Sequence, residues 1–321
     1  MKNILYFCFL ILIFSCSQDD SSETVSPMLW SELNSPTSKG LSDIKFINEN
    51  FGVICGSLNA LFKTEDGGET WEELDVGIPT SLNTVFILNE NEFLTSRVGL
   101  HKTTDGGITF NEIGGLENYS NTIFHIHFFT EQNGIIVKGG TVLKTNDGGA
   151  NWVVAYSNTQ YASELVVTTN ETIYLAGGTT YDNVSLGSLY KSTDNGINWQ
   201  QLELPESIRN VEISATEFVN ENYGFIGMFD RNIYKTTDGG ASWAHIASGF
   251  TDGFADIHFI NEQEGYLLSR NKIYKTINGG VSWNLEYEHE DINIYLRSIT
   301  STSNGKLYAV GKNGLILKRD E

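Results

Sequence analysis

The sequence predicts an all-β fold: a seven-bladed β-propeller with four antiparallel strands per blade and an N-terminal strand closing the last blade. Three observations carry this. A nine-residue phrase is written six times, from Lys63 to Trp71, Lys102 to Phe110, Lys144 to Trp152, Lys191 to Trp199, Lys235 to Trp243 and Lys275 to Trp283. Its spacing of about 39 to 47 residues is the signature of a repeat architecture. Between the copies lie short apolar runs broken by Gly- and Asn-rich turns, with no helical period, and four such runs per unit match one blade. The ends of the chain then set the count. The stretch 296–318 supplies three strands without a fourth, and Met28–Leu33 matches Thr70–Leu74, so the first strand completes the last blade. An open ring would expose two unpaired edges.

In chain order, residues 1–15 read as a targeting segment, with Lys2 ahead of an apolar stretch from Ile4 to Phe14 that is short for a bilayer span. It runs into Ile13-Phe14-Ser15-Cys16, which resembles a bacterial lipobox and makes Cys16 the expected lipid attachment site. Residues 16–27 are acidic and polar and read as a tether. They resemble the tag behind the cysteine of surface-exported lipoproteins, which implies an outer-membrane, surface-exposed envelope protein. Residues 28–321 form the single propeller. Cys8 leaves with the signal, so Cys55, in an apolar run, has no disulfide partner and reads as a small core residue.

Within each repeat a lysine-threonine pair ends one strand, Asp-Gly-Gly turns the chain, and Thr/Ser/Asn-x-Trp opens the next. Gly supplies the positive φ angles of a tight turn, and an Asp at its head accepts hydrogen bonds from the amides that follow. Asp66, Asp105, Asp147, Asp194, Asp238 and Asn278, with Trp71, Trp152, Trp199, Trp243 and Trp283, are therefore expected to be structural clasps. They lack the alternating oxygen ligands of a calcium loop, so no metal is expected there, and nothing in the sequence implies a cofactor. His125 and His127 alternate on the first strand of the third unit, so one is expected to face the channel.

This phrase resembles the Asp-box, or BNR repeat, of sialidase-type propellers. With Phe259-Ile260-Asn261 and Gly265-Tyr266 before it and Tyr274-Lys275-Thr276 within it, the pattern is closest to the photosystem II assembly-factor propellers of the Ycf48 type. The resemblance implies a propeller that uses basic residues on one face to hold a protein client and carries no catalysis. The sialidase signature Arg-Ile-Pro is missing, and the first mature arginine is Arg97. The alternative from a different class is a glycan-binding or glycan-hydrolysing surface protein, which would need a carboxylate pair across a cleft.

Candidate binding residues lie in the turns between second and third strands. Arg97, Lys138, Arg231, Arg270 and Lys312 recur there in five units, in a chain of net charge −20. A ring of such cations suits a carboxylate or acidic peptide. The fourth unit has the longest such connection, Gly178 to Gly187, with Tyr181 at its tip, and Tyr119, Tyr161, Phe250 and Tyr295 fall in interblade loops. No basic stripe exists, so nucleic acid is not expected as a partner. Membrane contact is expected only through the lipid, and the chain is expected to be a monomer.

Overall fold

A computed structural model describes residues 29–114, 116, 122–157, 162–181 and 184–320. Cys16, the tether, Tyr119 and Tyr161 lie outside the described residues. Seven four-stranded antiparallel sheets follow one another around a ring. In blade 1 the strands are Leu41–Phe46, Gly52–Gly56, Leu61–Thr64 and Glu72–Glu73. In blade 6 they are Phe254–Phe259, Gly265–Ser269, Lys272–Thr276 and Asn284–Glu288. Blade 7 takes Leu296–Ser301, Leu307–Gly311 and Ile316–Arg319 from the C-terminal end, and Trp30–Glu32 pairs with the last of these, as Trp30 with Arg319 and Glu32 with Leu317. The ring of seven with an N-terminal closing strand is thus the architecture expected. Among the described residues the only helical turn is a 3-10 turn at Lys312–Gly314.

Three of the blade junctions are packed through stacked aromatic plates. The Phe ending a first strand stacks on a ring from the second strand of the preceding blade: Phe46 on Tyr308 at 4.2 Å, Phe218 on Tyr174 at 3.4 Å and Phe259 on Phe225 at 3.7 Å. The glycine opening the second strand pairs directly with that Phe, as Gly52 with Phe46. A Cβ on Gly52 would lie 2.6 Å from the Phe46 ring, which is why Phe and Gly travel together in the repeat. Cys55 is buried in this core, and burial pushes its thiol well above its ordinary pKa.

The Asp-box phrases form one recurring hydrogen-bonded turn. In blade 5 the Thr236 hydroxyl donates to Asp238 at 2.8 Å and accepts from the Gly240 amide at 2.8 Å. Asp238 also accepts from the amide and hydroxyl of Ser242, at 2.8 and 2.6 Å, and these bonds hold its carboxyl down to about 2. The sixth copy keeps the turn with an amide: Asn278 accepts from the Ser282 amide and donates to the Ser282 hydroxyl.

Two of the repeat lysines reach the neighbouring blade, while Lys63, Lys102 and Lys275 pair with carboxylates of their own blades. Lys144 donates to the Asn195 carbonyl at 3.1 Å and Lys235 to the Gly279 carbonyl at 3.4 Å. Tyr174 and Tyr308 make the same crossing, Tyr308 donating to the Gly67 carbonyl at 2.7 Å. The clasps of blades 1, 4, 5 and 6 are therefore each bonded to the blade before them.

Blade 4 departs from expectation. Its connection from Gly178 to Gly187 is not a loop but an extension of the hairpin. Strands Ile173–Tyr181 and Val184–Ser192 stay paired out to Tyr181 opposite Val184. Thr179, Thr180 and Tyr181 are strand formers, and their backbone groups find partners by continuing the ladder.

Candidate binding face at the mouth of the channel

First strands run down the ring axis, so alternate side chains enter the channel. The rank nearer the mouth holds Asp43, Thr84, His125, Glu164, Asp256 and Ser298. The deeper rank holds Lys45, Phe86, His127, Val166, Glu217 and His258. Both ranks line one cavity of about 1140 Å³. In six blades a register shift falls just before the upper position, as between Leu41 and Asp43, and such bulges re-aim a side chain. Both His125 and His127 line the cavity, where one had been expected to face it.

The interior charges are largely occupied in holding blades together. Asp43 accepts from the Ile44 amide at 2.9 Å, the Ser298 hydroxyl at 2.9 Å, the Thr84 hydroxyl at 3.0 Å and the Val85 amide at 3.1 Å, so it joins blades 7, 1 and 2. Asp256 accepts from the Ile299 amide at 2.9 Å. His125 lies 3.7 Å from Glu164. His258 lies 3.5 Å from Glu217 and 2.8 Å from the Ser301 hydroxyl. Burial pushes Glu164 up to about 8 and Asp256 up to about 6, while Asp43 holds the Lys45 ammonium above its ordinary value. Burial between Phe86 and Phe129 lowers His127 to about 4. Among the described residues no group of three His, Cys, Asp or Glu side chains is placed to hold a metal.

The mouth is different. Arg97, Arg297, Tyr295 and Lys312 line the opening of the cavity. Around it, several turns between second and third strands hold non-glycine residues in the left-handed region: Leu58 at φ 53°, Arg231 at 71°, Arg270 at 56° and Asn313 at 61°. Each costs on the order of 1–3 kcal/mol relative to glycine. Blade 3 uses Gly139 and Gly140 for the same bend. The strained turns display what glycine cannot, and Leu58 is 71% exposed and Phe229, beside Arg231, 70% exposed.

The five sequence-selected cations do not share one fate. Arg97 and Lys312 line the mouth. Arg270 meets Asp252 at 3.3 Å and lies over the Tyr295 ring. Arg231 stands exposed on its turn, away from the cavity lining. Lys138 is 2% exposed; its ammonium donates to the Val98 carbonyl and lies 3.5 Å from the Leu116 carbonyl, so it ties blade 3 to blade 2 and cannot meet a ligand. The Tyr181 side chain lies outside the described residues. Arg297 and the charged channel ranks were missed. Aligning first strands on the residue that pairs with the opening of the second strand, Phe against Gly in blades 1, 3, 5 and 6, would have revealed the ranks, since every rank residue sits one or three positions before it.

The sequence profile of the photosynthesis system II assembly factor YCF48 matches residues 22–118. The photosystem II assembly lipoprotein Ycf48 of Prochlorococcus marinus is 26% identical over 168 residues, 47% of this chain and 49% of that protein. The chain thus spans about half the length of that relative. The structure of YCF48 from Cyanidioschyzon merolae superposes with a TM-score of 0.76 at 16% identity, covering 90% of this chain and 98% of that one. A YCF48 bound to D1 peptide gives 0.77 at 18% identity, covering 91% and 97%. The chain is a seven-bladed Asp-box propeller similar to Ycf48 in both its repeat sequence and the fold of its whole ring.

Proposed function

We propose that this chain is a non-catalytic binding or assembly module that docks a protein client on the mouth face of its propeller. The observation that carries the reading is the cluster of Arg97, Arg297 and Lys312 at the opening of a large cavity in a chain of net charge −20. Charge-assisted bonds from such groups suit carboxylates on a client segment. The similar YCF48 bound to D1 peptide supports a peptide client for a ring of this kind. Arg270 and Arg231 extend the same face. The protein would sit at a bacterial cell envelope as a monomer, held by lipid on Cys16, in an outer membrane with the propeller exposed. The Ycf48 relatives are likewise named lipoproteins, which supports the anchor.

The glycan-active reading has one observation in its favour, four carboxylates lining one cavity. Asp43 and Asp256 are already engaged by backbone and hydroxyl donors between blades, which supports the non-catalytic reading instead. The test is capture from native membranes with wild type and with Arg97, Arg297 and Lys312 all changed to Glu. A near-stoichiometric protein retained only by wild type is expected. Equal capture by both, or by neither, would refute the assignment of this face. For the anchor, Cys16→Ser should move the protein out of the membrane fraction, and unchanged membrane retention would rule lipidation out.

A further inference from the structure

We propose that the seam between blades 6 and 7 on the mouth face recognises a client segment in which a carboxylate-bearing residue stands next to an apolar one. This deepens the client-binding reading and rests on it. Tyr295 is 40% exposed, and its ring is flanked by two cations, the Arg270 guanidinium carbon at 5.5 Å and the Lys312 ammonium at 5.7 Å from its centre. Cations over an aromatic face are attracted by its quadrupole, so ring and charges hold one another in place. The loop is fixed from both sides as well. Arg270 Nε donates to the Ile292 carbonyl at 2.9 Å, Lys312 Nζ to the Asn293 carbonyl at 3.3 Å and the Lys312 amide to the Tyr295 carbonyl at 2.9 Å. The platform is therefore organised before any client arrives.

Its chemistry has two parts. The guanidinium and the ammonium both have more donors than these bonds use, which leaves charged N–H groups for an incoming carboxylate. The exposed flank of Tyr295 and the exposed Ile292 beside it offer apolar surface at the same spot. Tyrosine and arginine side by side are what binding centres are enriched in. The nearby acids narrow the choice further. Asp252 pairs with Arg270, and Asp291 accepts from the Asn293 amide and side chain, so two acidic side chains are fixed at the edge of the site. They repel a run of negative charges, which makes a polyanion a poor occupant and a lone carboxylate with an apolar neighbour a good one. Arg270 holds its position at a left-handed φ of 56°, a conformation glycine would adopt without strain but without the guanidinium.

The experiment is fluorescence anisotropy on the full chain with three labelled, capped octapeptides of Gly and Ser, each carrying one central pair: Leu-Asp, Gly-Asp or Leu-Lys. Leu-Asp should bind about tenfold tighter than Gly-Asp, the advantage of partly burying apolar side chains, and Leu-Lys should not bind. Tyr295→Ser and, separately, the surface change Ile292→Asp should erase the preference for Leu-Asp. The second variant alters an exposed residue and so guards against misfolding of the first. Equal binding of Leu-Asp and Gly-Asp would overturn the proposal while leaving a purely charge-driven client face standing. An unchanged preference in both variants, or no binding of any peptide, would overturn it too. The membrane capture described above is independent of these peptides, so the failure of one reading is distinguishable from the failure of the other.

Discussion

Trp30 occupies in blade 7 the slot that the Asp-box tryptophans fill elsewhere, yet its surroundings predict a much larger role. It is 1% exposed, meets Tyr266 edge-on at 6.0 Å and donates its indole N–H to Glu286 at 2.9 Å. Its strand is three residues long and has only the Ile316–Arg319 strand as a partner, so Trp30 is the chief anchor of ring closure. Trp30→Ala removes a fully buried indole, which costs about 3–5 kcal/mol in comparable cores. Glu286 is not orphaned, because Arg319 still binds it at 3.1 and 3.2 Å, so the lost hydrogen bond adds only about 1 kcal/mol. At about 2–4 °C per kcal/mol for a large domain, the melting midpoint should fall by about 8–24 °C. Trp283→Ala is the control. That indole is half-buried, and its N–H has no protein partner, so its loss should cost about half as much. Thermal unfolding followed by circular dichroism reads both. If Trp30→Ala melts within about 2 °C of Trp283→Ala, the closure argument is wrong.

Two further outcomes follow from the channel and the turns. Glu164 has its folded pKa pushed up to about 8 from an unfolded value near 4.5, so the folded state holds the extra proton between those limits and stability falls as pH rises through them. The groups facing it are Asp43, Lys45, His125, Glu217 and Asp256. Glu164→Gln cannot titrate, so it should gain on wild type by up to about 1.4 kcal/mol per pH unit over that window, less for the water in the channel, and match it below pH about 4.5. Urea unfolding at pH 4.5 and 8 measures this, and a variant with no pH-dependent advantage would refute the burial of that carboxyl. At Arg231, held at φ 71°, Arg231→Gly should be more stable than Arg231→Ala by about 1 kcal/mol, the reverse of the usual order. Urea midpoints of the two variants decide it, and Ala equal to or better than Gly would remove the strain from the account of the mouth.

The fold was legible because its signals are periodic and local. A turn that needs an Asp or Asn at its head and glycine behind it writes itself into all six copies, and the Phe-to-Gly pairing recurs at four first strands. Closure was legible because the pattern of a fourth strand was missing at one end and present at the other. The channel was not, since its ranks differ from blade to blade: Asp43, Thr84, His125, Glu164, Asp256 and Ser298 share a position but range over carboxylate, hydroxyl and imidazole. What they share is a place on the inner strand, visible only once the register is known. The blade 4 arm was misread for a related reason. Its two glycines, Gly178 and Gly187, signal a turn in sequence, whereas in the ladder they simply pair with each other.

Recurrence, so useful for the fold, is a poor guide to the binding face. By sequence alone Lys138 belongs with Arg97, Arg231, Arg270 and Lys312, but in the ladder it ends its second strand, paired with Thr141 as Ser269 is with Lys272, so Gly139 stands where Arg270 does. The two glycines that follow it let the turn bend tightly, and Lys138 lies beneath Val98 and Leu116, where backbone carbonyls take up its charge. Arg231 and Arg270 have non-glycine neighbours, and they themselves occupy the left-handed site, so their side chains remain at the surface. The same feature that makes the blades alike, a tight turn after the second strand, is thus met by two solutions: glycine, which lets the cation fold inward, and strain, which keeps it out. Function in this ring is then read from where a blade departs from the repeat at a cost in stability, and the mouth between blades 6 and 7 is where such departures meet an aromatic ring.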